Sequence, residues 1–182
     1  MTRQLALAFT LLATAAFAAE PVFPPGSRIG LVPPVGIVVG EKFQGFHDPA
    51  REVIALVREL SLQSYTKVEK EFADYQRVRS YGAEPMPREI IETPGGQAVL
   101  FGIRVVEHGV PTRKWALLMR TDDVTGTVIL SMPEAAFAIY PEATIRRMLA
   151  TAVIRDKHLD QRDARHPAVQ ARGVRRVPAV AS

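Results

Sequence analysis

Between residues 89 and 133 the chain alternates turns and apolar runs at a spacing that leaves little choice of fold. Thr-Pro-Gly-Gly (93–96), His-Gly-Val-Pro (108–111) and Asp-Asp-Val-Thr-Gly (122–126) are turn sequences. Glycine reaches positive φ without strain, proline presets φ, and aspartate bonds its own backbone. The intervening runs, residues 98–106, 113–121 and 127–132, are rich in β-branched and aromatic side chains. Strands joined by turns this short pair as antiparallel neighbours, because a parallel connection needs a crossover of about a dozen residues. The expectation is a three-stranded meander. Arg104, Glu107, Arg113, Lys114 and Arg120 interrupt its apolar positions, as a half-exposed sheet requires.

Helical signals flank the meander. In residues 61–76 the apolar Leu62, Tyr65, Val68, Phe72 and Tyr75 recur at steps of three and four, with Lys67, Glu69, Lys70, Glu71 and Asp74 on the other face. Ser61 or Ser64 is the expected cap. The preceding run, residues 52–60, fits a helix face or a buried strand equally well by spacing; a helix directly after it favours the strand. After the meander, Pro133 and Glu134 suit a first helical turn, Pro141 breaks it, and Glu142 restarts it. Ile145, Met148, Leu149 and Ala152 then form one apolar stripe with Arg146 and Arg147 outside. Residues 153–155 are expected to add a last short strand. Before all this, residues 19–26 are proline-rich and read as an extended lead-in, and residues 27–34 as a short strand ended by a proline pair.

The chain begins with a secretory signal pattern. Arg3 supplies the positive charge, residues 5–17 the apolar run, and Ala16-Phe-Ala18 the small-x-small cleavage site. The run is shorter than the roughly 20 apolar residues that span a bilayer, and no later stretch is long enough, so no stable membrane span is expected. A mature chain starting near Ala19 and a periplasmic or secreted location are the expectation. There is no cysteine, so no disulfide supports the fold in an oxidising compartment and no thiolate chemistry is available.

At 182 residues, 47% hydrophobic and 23% charged, the chain suits one globular domain, placed at residues 27–155. The net charge of +4 is misleading. Residues 155–182 carry seven Lys/Arg against three Asp, whereas residues 19–154 carry 15 Lys/Arg against 16 Asp/Glu. A body of balanced charge is a solvated surface, not a phosphate-binding one, and no nucleic-acid partner is expected. In the last 20 residues, 15 are Ala, Arg, Val or Pro, with no apolar periodicity and no aromatic for base stacking. Residues 156–182 read as a disordered basic tail or as a frameshifted remnant of a second domain. Those four residue types have GC-rich codons, and a one-base shift of the back-translated tail permits an apolar strand-and-turn sequence. The frameshift is the leading reading.

A strand pair, a helix, a turn with paired glycines, a meander and a closing helix are similar in order to the PsbP-like fold: α+β, an antiparallel β-sheet with helices packed on it. "FPPGSRIGLVPPVG", "GFHDP" and "FAIYPEATIRRML" resemble a group of uncharacterised exported bacterial proteins with that fold. The resemblance covers residues 23–155 and implies a protein that binds other proteins or assists their assembly. It implies no reaction, because a fold does not carry one.

The residues name no chemistry either. G-x-S-x-G, the P-loop pattern and H-E-x-x-H are all missing. No catalytic, cofactor-binding or metal-ligating residues are assigned, and no cofactor is expected. The alternative to a non-enzymatic binding protein is a metal-dependent hydrolase using His47 and Asp48, with His108 as a further ligand. A metal needs three or four convergent ligands, and His47-Asp48 before Pro49 reads more simply as a turn in which Asp48 caps. Trp115 is assigned to the core, since alternation puts it opposite Lys114.

Overall fold

The computed structural model describes residues 19–156. The signal pattern and the basic tail lie outside these residues. The elements run β1 (Ile29–Gly30), β2 (Val38–Val39), β3 (Gly45–Asp48), a 3-10 turn (Pro49–Arg51), β4 (Val53–Ser61), α1 (Ser64–Ala73), α2 (Tyr75–Ser80), β5 (Glu84–Pro85), β6 (Glu89–Thr93), β7 (Gly96–Glu107), β8 (Val110–Arg120), β9 (Val124–Pro133), a second 3-10 turn (Glu134–Ala138), α3 (Glu142–Ala150) and β10 (Val153–Ile154).

The meander forms where the turns place it, with β6 as an additional strand before it. His108 and Gly109, with φ of 51° and 82°, make the two-residue connection between β7 and β8. Positive φ at both central residues matches the twist of the flanking strands. The main sheet has eight strands in the order β2-β3-β4-β9-β8-β7-β5, with β6 pairing β7 along the same edge as β5. All its pairings are antiparallel. The run at residues 52–60 is the strand β4, and it closes against β9 from Ile54↔Ser131 to Ser61↔Val124. β1 and β10 pair separately, at Ile29↔Ile154 and Gly30↔Val153.

One face of the sheet carries the main core. Val53, Ala55 and Val57 of β4, Trp115 and Leu117 of β8, and Val128, Leu130 and Met132 of β9 lie beneath Ile145, Met148 and Leu149 of α3. These α3 side chains are the predicted stripe. Each fully buried aliphatic side chain contributes about 1.5–3 kcal/mol of transfer free energy, so a helix of nine residues is held chiefly by this face. Arg146 ties its flank to β6 through paired bonds to Glu89 at 2.6 and 2.8 Å. Arg113 reaches Glu142 from β8, with its guanidinium 4.4 Å from the centre of the Phe137 ring.

The small β1–β10 sheet covers the end of this core at Gly126, where a Cβ would strike the tips of Ile154 and Ile29. Arg28, buried beside it, bonds Glu59 at 3.0 Å and Asp123 at 2.9 Å.

The predicted helix at residues 61–76 is two helices. Asp74 leaves helical geometry (ψ 78°), and its carboxylate accepts from the Arg77 amide to start α2. An internal aspartate that can bond nearby backbone competes with helix continuation. Neither serine caps α1. Gln63 holds the cap position with no side-chain bond, and Ser61 and Ser64 bond each other at 2.9 Å.

Candidate functional site

On the second face of the sheet, Tyr65, Val68 and Phe72 of α1 pack on Val99, Phe101, Leu118 and Ala116. The helix therefore covers β7 and β8, and the chain at its start also covers the first half of β9, where Thr125 and Thr127 are buried and the Thr125 hydroxyl donates to the Leu62 carbonyl. Beyond Thr127 on β9, and on β4, no helix lies on this face, while Phe43 packs on Gly45 and His47 of β3. The registers arrange the face in rows across the strands. Arg58, Thr127 and Leu118 form one row; Leu56, Ile129, Ala116 and Phe101 the next; Ile54, Ser131, Lys114 and Ile103 the third. His47 lies beside Ile54, and Val38 beside His47.

The exposed part of this face carries apolar side chains among Arg58, Ser131, Lys114 and His47, where a solvated sheet face is mainly polar. Leu56 and Ile129 are half-buried, Ile54 is 37% exposed and Val38 54% exposed. Where the strip meets the helices it deepens into a cavity of about 220 Å³. Phe72, Val78, Phe101, Ile103, Ala116 and Ile129 supply its apolar walls, with Glu71 and Lys114 at the rim. Lys114 is bonded to Glu107 at 2.5 Å. The strip offers transferable apolar area and one side-chain-sized hole, the features by which a protein surface takes up a partner.

His47 and Asp48 do not converge. They are consecutive on β3, and alternation sends them to opposite faces. His47 lies on the open face, edge-on to Phe43 with ring centres 5.4 Å apart. Asp48 is 3% exposed on the core face. Its Oδ1 accepts from the Ala50 amide at 3.0 Å, and its Oδ2 from the Tyr140 hydroxyl and the Arg51 guanidinium, each at 2.7 Å. The hydrogen bond from Tyr140, followed by that from Arg51, holds this carboxyl below the usual aspartate range. Burial, with the donated bond to Asp48, pushes the Tyr140 phenol up. A carboxylate with both oxygens engaged is a structural clasp. It caps the turn at Pro49 as expected and also ties β3 to the loop before α3.

His108 is at the tip of the β7–β8 hairpin, three strand spacings from β3, or on the order of 14 Å. Among the described residues, no three His, Asp or Glu side chains gather as a metal site would require. The hydrolase alternative thus loses its site, because its two leading residues face opposite sides of one strand.

The strip itself was missed from sequence, although a signal for it exists. Residues 53–57 are apolar at every position, which marks a strand with two apolar faces. Tyr140, a partner of Asp48, gave no sequence signal, since the contact spans 92 positions; Arg51, the other partner, lies only three residues along the chain and was not singled out.

No protein-family model matches the chain, and no curated protein matches it. Its architecture is shared with solved structures. The cyanobacterial PsbP (CyanoP) from Synechocystis sp. PCC 6803 superposes with a TM-score of 0.52 at 15% identity, covering 80% of this chain and 99% of that one. The Ran-binding protein Mog1p of Saccharomyces cerevisiae superposes with a TM-score of 0.50 at 15% identity, covering 77% and 97%. The chain has a PsbP-like α+β fold. At this identity the likeness concerns the fold alone.

Proposed function

We propose that this chain is an exported, non-enzymatic protein that binds or helps assemble another protein through the open face of its sheet. The observation that carries the reading is the strip of Leu56, Ile129, Ile54 and Val38, apolar and uncovered beside α1. Leaving such side chains in water forgoes about 25 cal/mol per Å², and a partner that covers them recovers it. That a protein of this architecture, Mog1p, is a Ran-binding protein supports the class of function, not the partner. Export rests on the signal pattern ending at Ala18.

The test places a photo-crosslinking amino acid at Leu56 in the native cell, with Arg147 on the outer side of α3 as the control position. A discrete adduct from Leu56 that Arg147 does not give is the expected result. Equal or no adducts at the two positions would remove the open face as a binding surface. Mass spectrometry of the mature protein is expected to find Ala19 at the N-terminus; an uncleaved Met1 would end the export reading.

A further inference from the structure

The shape and charge of the open face specify the partner more closely, given the docking reading above. α1 lies over β7 and β8, with Thr125 and Thr127 of β9 buried at its start, and the trough beside it runs over Ile129 and Ser131 of β9, Leu56 and Ile54 of β4, and His47 of β3. Three strands at about 4.8 Å spacing present a floor roughly 10–14 Å wide. An α-helix with its side chains is about 10–12 Å across. The rows of floor residues repeat every second residue, or about 7 Å, close to the about 6 Å rise between positions i and i+4 of a helix. Two successive turns of one helix can therefore seat on the Ile54 and Leu56 rows, up to where Thr127 is buried at the start of α1, with a side chain in the cavity at Phe72.

The charge is one-sided at the α1 start of this trough. Arg58 on β4 and Lys67 on α1 are exposed, and neither has an ion-pair partner among the described residues. Arg120, one row further on β8, lies over the Tyr65 ring at 5.7 Å and has no ion-pair partner among the described residues. Glu71 is the carboxylate on the groove wall. We propose that the trough takes one amphipathic helix of a partner protein, with an apolar stripe on the floor and Asp or Glu on the flanks that meet Arg58, Lys67 and Arg120. A second copy of this chain is the poorer fit, since two such faces would bring these cations together.

The experiment is selection from a displayed library of random peptides about 16 residues long, enough for a helix of about 24 Å, against the chain. Enriched sequences are expected to carry apolar residues at i, i+3 or i+4, and i+7, with Asp and Glu beside them. The best synthetic peptide is expected to become helical on binding and to lose roughly tenfold or more in affinity against Arg58→Glu and against Ile129→Glu. Arg58 is exposed, so Arg58→Glu keeps the fold, and the Tm of both variants controls for it. Basic or extended peptides, peptides indifferent to both substitutions, no enrichment at all, or a homodimer broken by Ile129→Glu would each overturn the proposal. If Leu56 still crosslinks in the cell when the selection fails, only the acidic-helix chemistry falls; if neither succeeds, the docking reading falls with it.

Discussion

The hydroxyl of Tyr140 donates a 2.7 Å hydrogen bond to Oδ2 of Asp48, joining residues 92 positions apart. Both side chains are buried, and Arg51 stands over the Tyr140 ring at 5.9 Å while bonding the same carboxylate oxygen. This clasp holds the β3 end of the sheet to the segment that leads into α3.

Tyr140→Phe removes the donor and leaves a buried acceptor with fewer bonds, a loss larger than that of an exposed hydrogen bond. A fall of several degrees in Tm is expected at neutral pH. Asp48→Asn is expected to cost at least as much, because it also weakens the bond from Arg51. A Tm unchanged in both variants would mean that the clasp does not support the fold.

The same carboxyl makes a pH prediction. Its folded pKa is lowered, by Tyr140 first and Arg51 second, so its contribution is complete above the unfolded aspartate value of about 3.9. That contribution is lost as pH falls below 3.9 through the depressed folded value. Glu89, lowered by its bond from Arg146, acts in the same direction. Acid denaturation of Asp48→Asn is therefore expected to be less steep below about pH 4 than that of the wild type. Parallel acid limbs for the two proteins would contradict this.

Two glycines separate packing from backbone strain. A Cβ at Gly45 would run into the Ala55 carbonyl oxygen of the neighbouring strand. Backbone cannot yield as a side-chain tip does, so Gly45→Ala is expected to cost about 2 kcal/mol or more and to loosen β2 and β3 first. At Gly96, φ is 107° and nothing lies within 4 Å of a Cβ. Gly96→Ala pays for strain alone, about 1–2 kcal/mol. Denaturant titration ranks the pair, and hydrogen exchange locates the Gly45→Ala effect at the edge of the sheet. The reverse ranking would refute the packing argument.

Arg28 is the hub between the small sheet and the large one. Its side chain is 6% exposed, and Glu59 and Asp123 are 30% and 44% exposed. Arg28→Ala leaves two carboxylates that water can reach, so the expected loss is about 1–3 kcal/mol, below that of a fully buried broken pair. Local opening of β1 and β10 is the expected exchange signature. Global destabilisation without that local opening would show that Arg28 does not anchor the small sheet.

Phe72 fills the contact between α1 and Phe101, with ring centres 5.5 Å apart. Phe72→Ala is expected to cost about 2–3 kcal/mol, to free α1 in exchange experiments, and to reduce crosslinking from Leu56, since the groove loses a wall. Loss of stability with crosslinking unchanged would separate the helix contact from the docking surface.

Local elements were legible in the sequence, because each rests on interactions within a few residues. The turns at Gly96 and His108-Gly109, the cap at Asp48 and the stripe Ile145-Met148-Leu149 follow from φ preference, side-chain-to-backbone bonds and helical period. The split at Asp74 was not read, because the apolar period runs straight across it from Phe72 to Tyr75. What tertiary structure alone decided is where distant segments meet: β4 beside β9, Tyr140 on Asp48, and α1 over β7 and β8 but not over β4. Periodicity shows that a strand such as residues 53–57 is apolar on both faces, but not what covers each one. That depends on the path of the chain through space, so the open half of the sheet, and with it the candidate docking surface, became visible only in the fold.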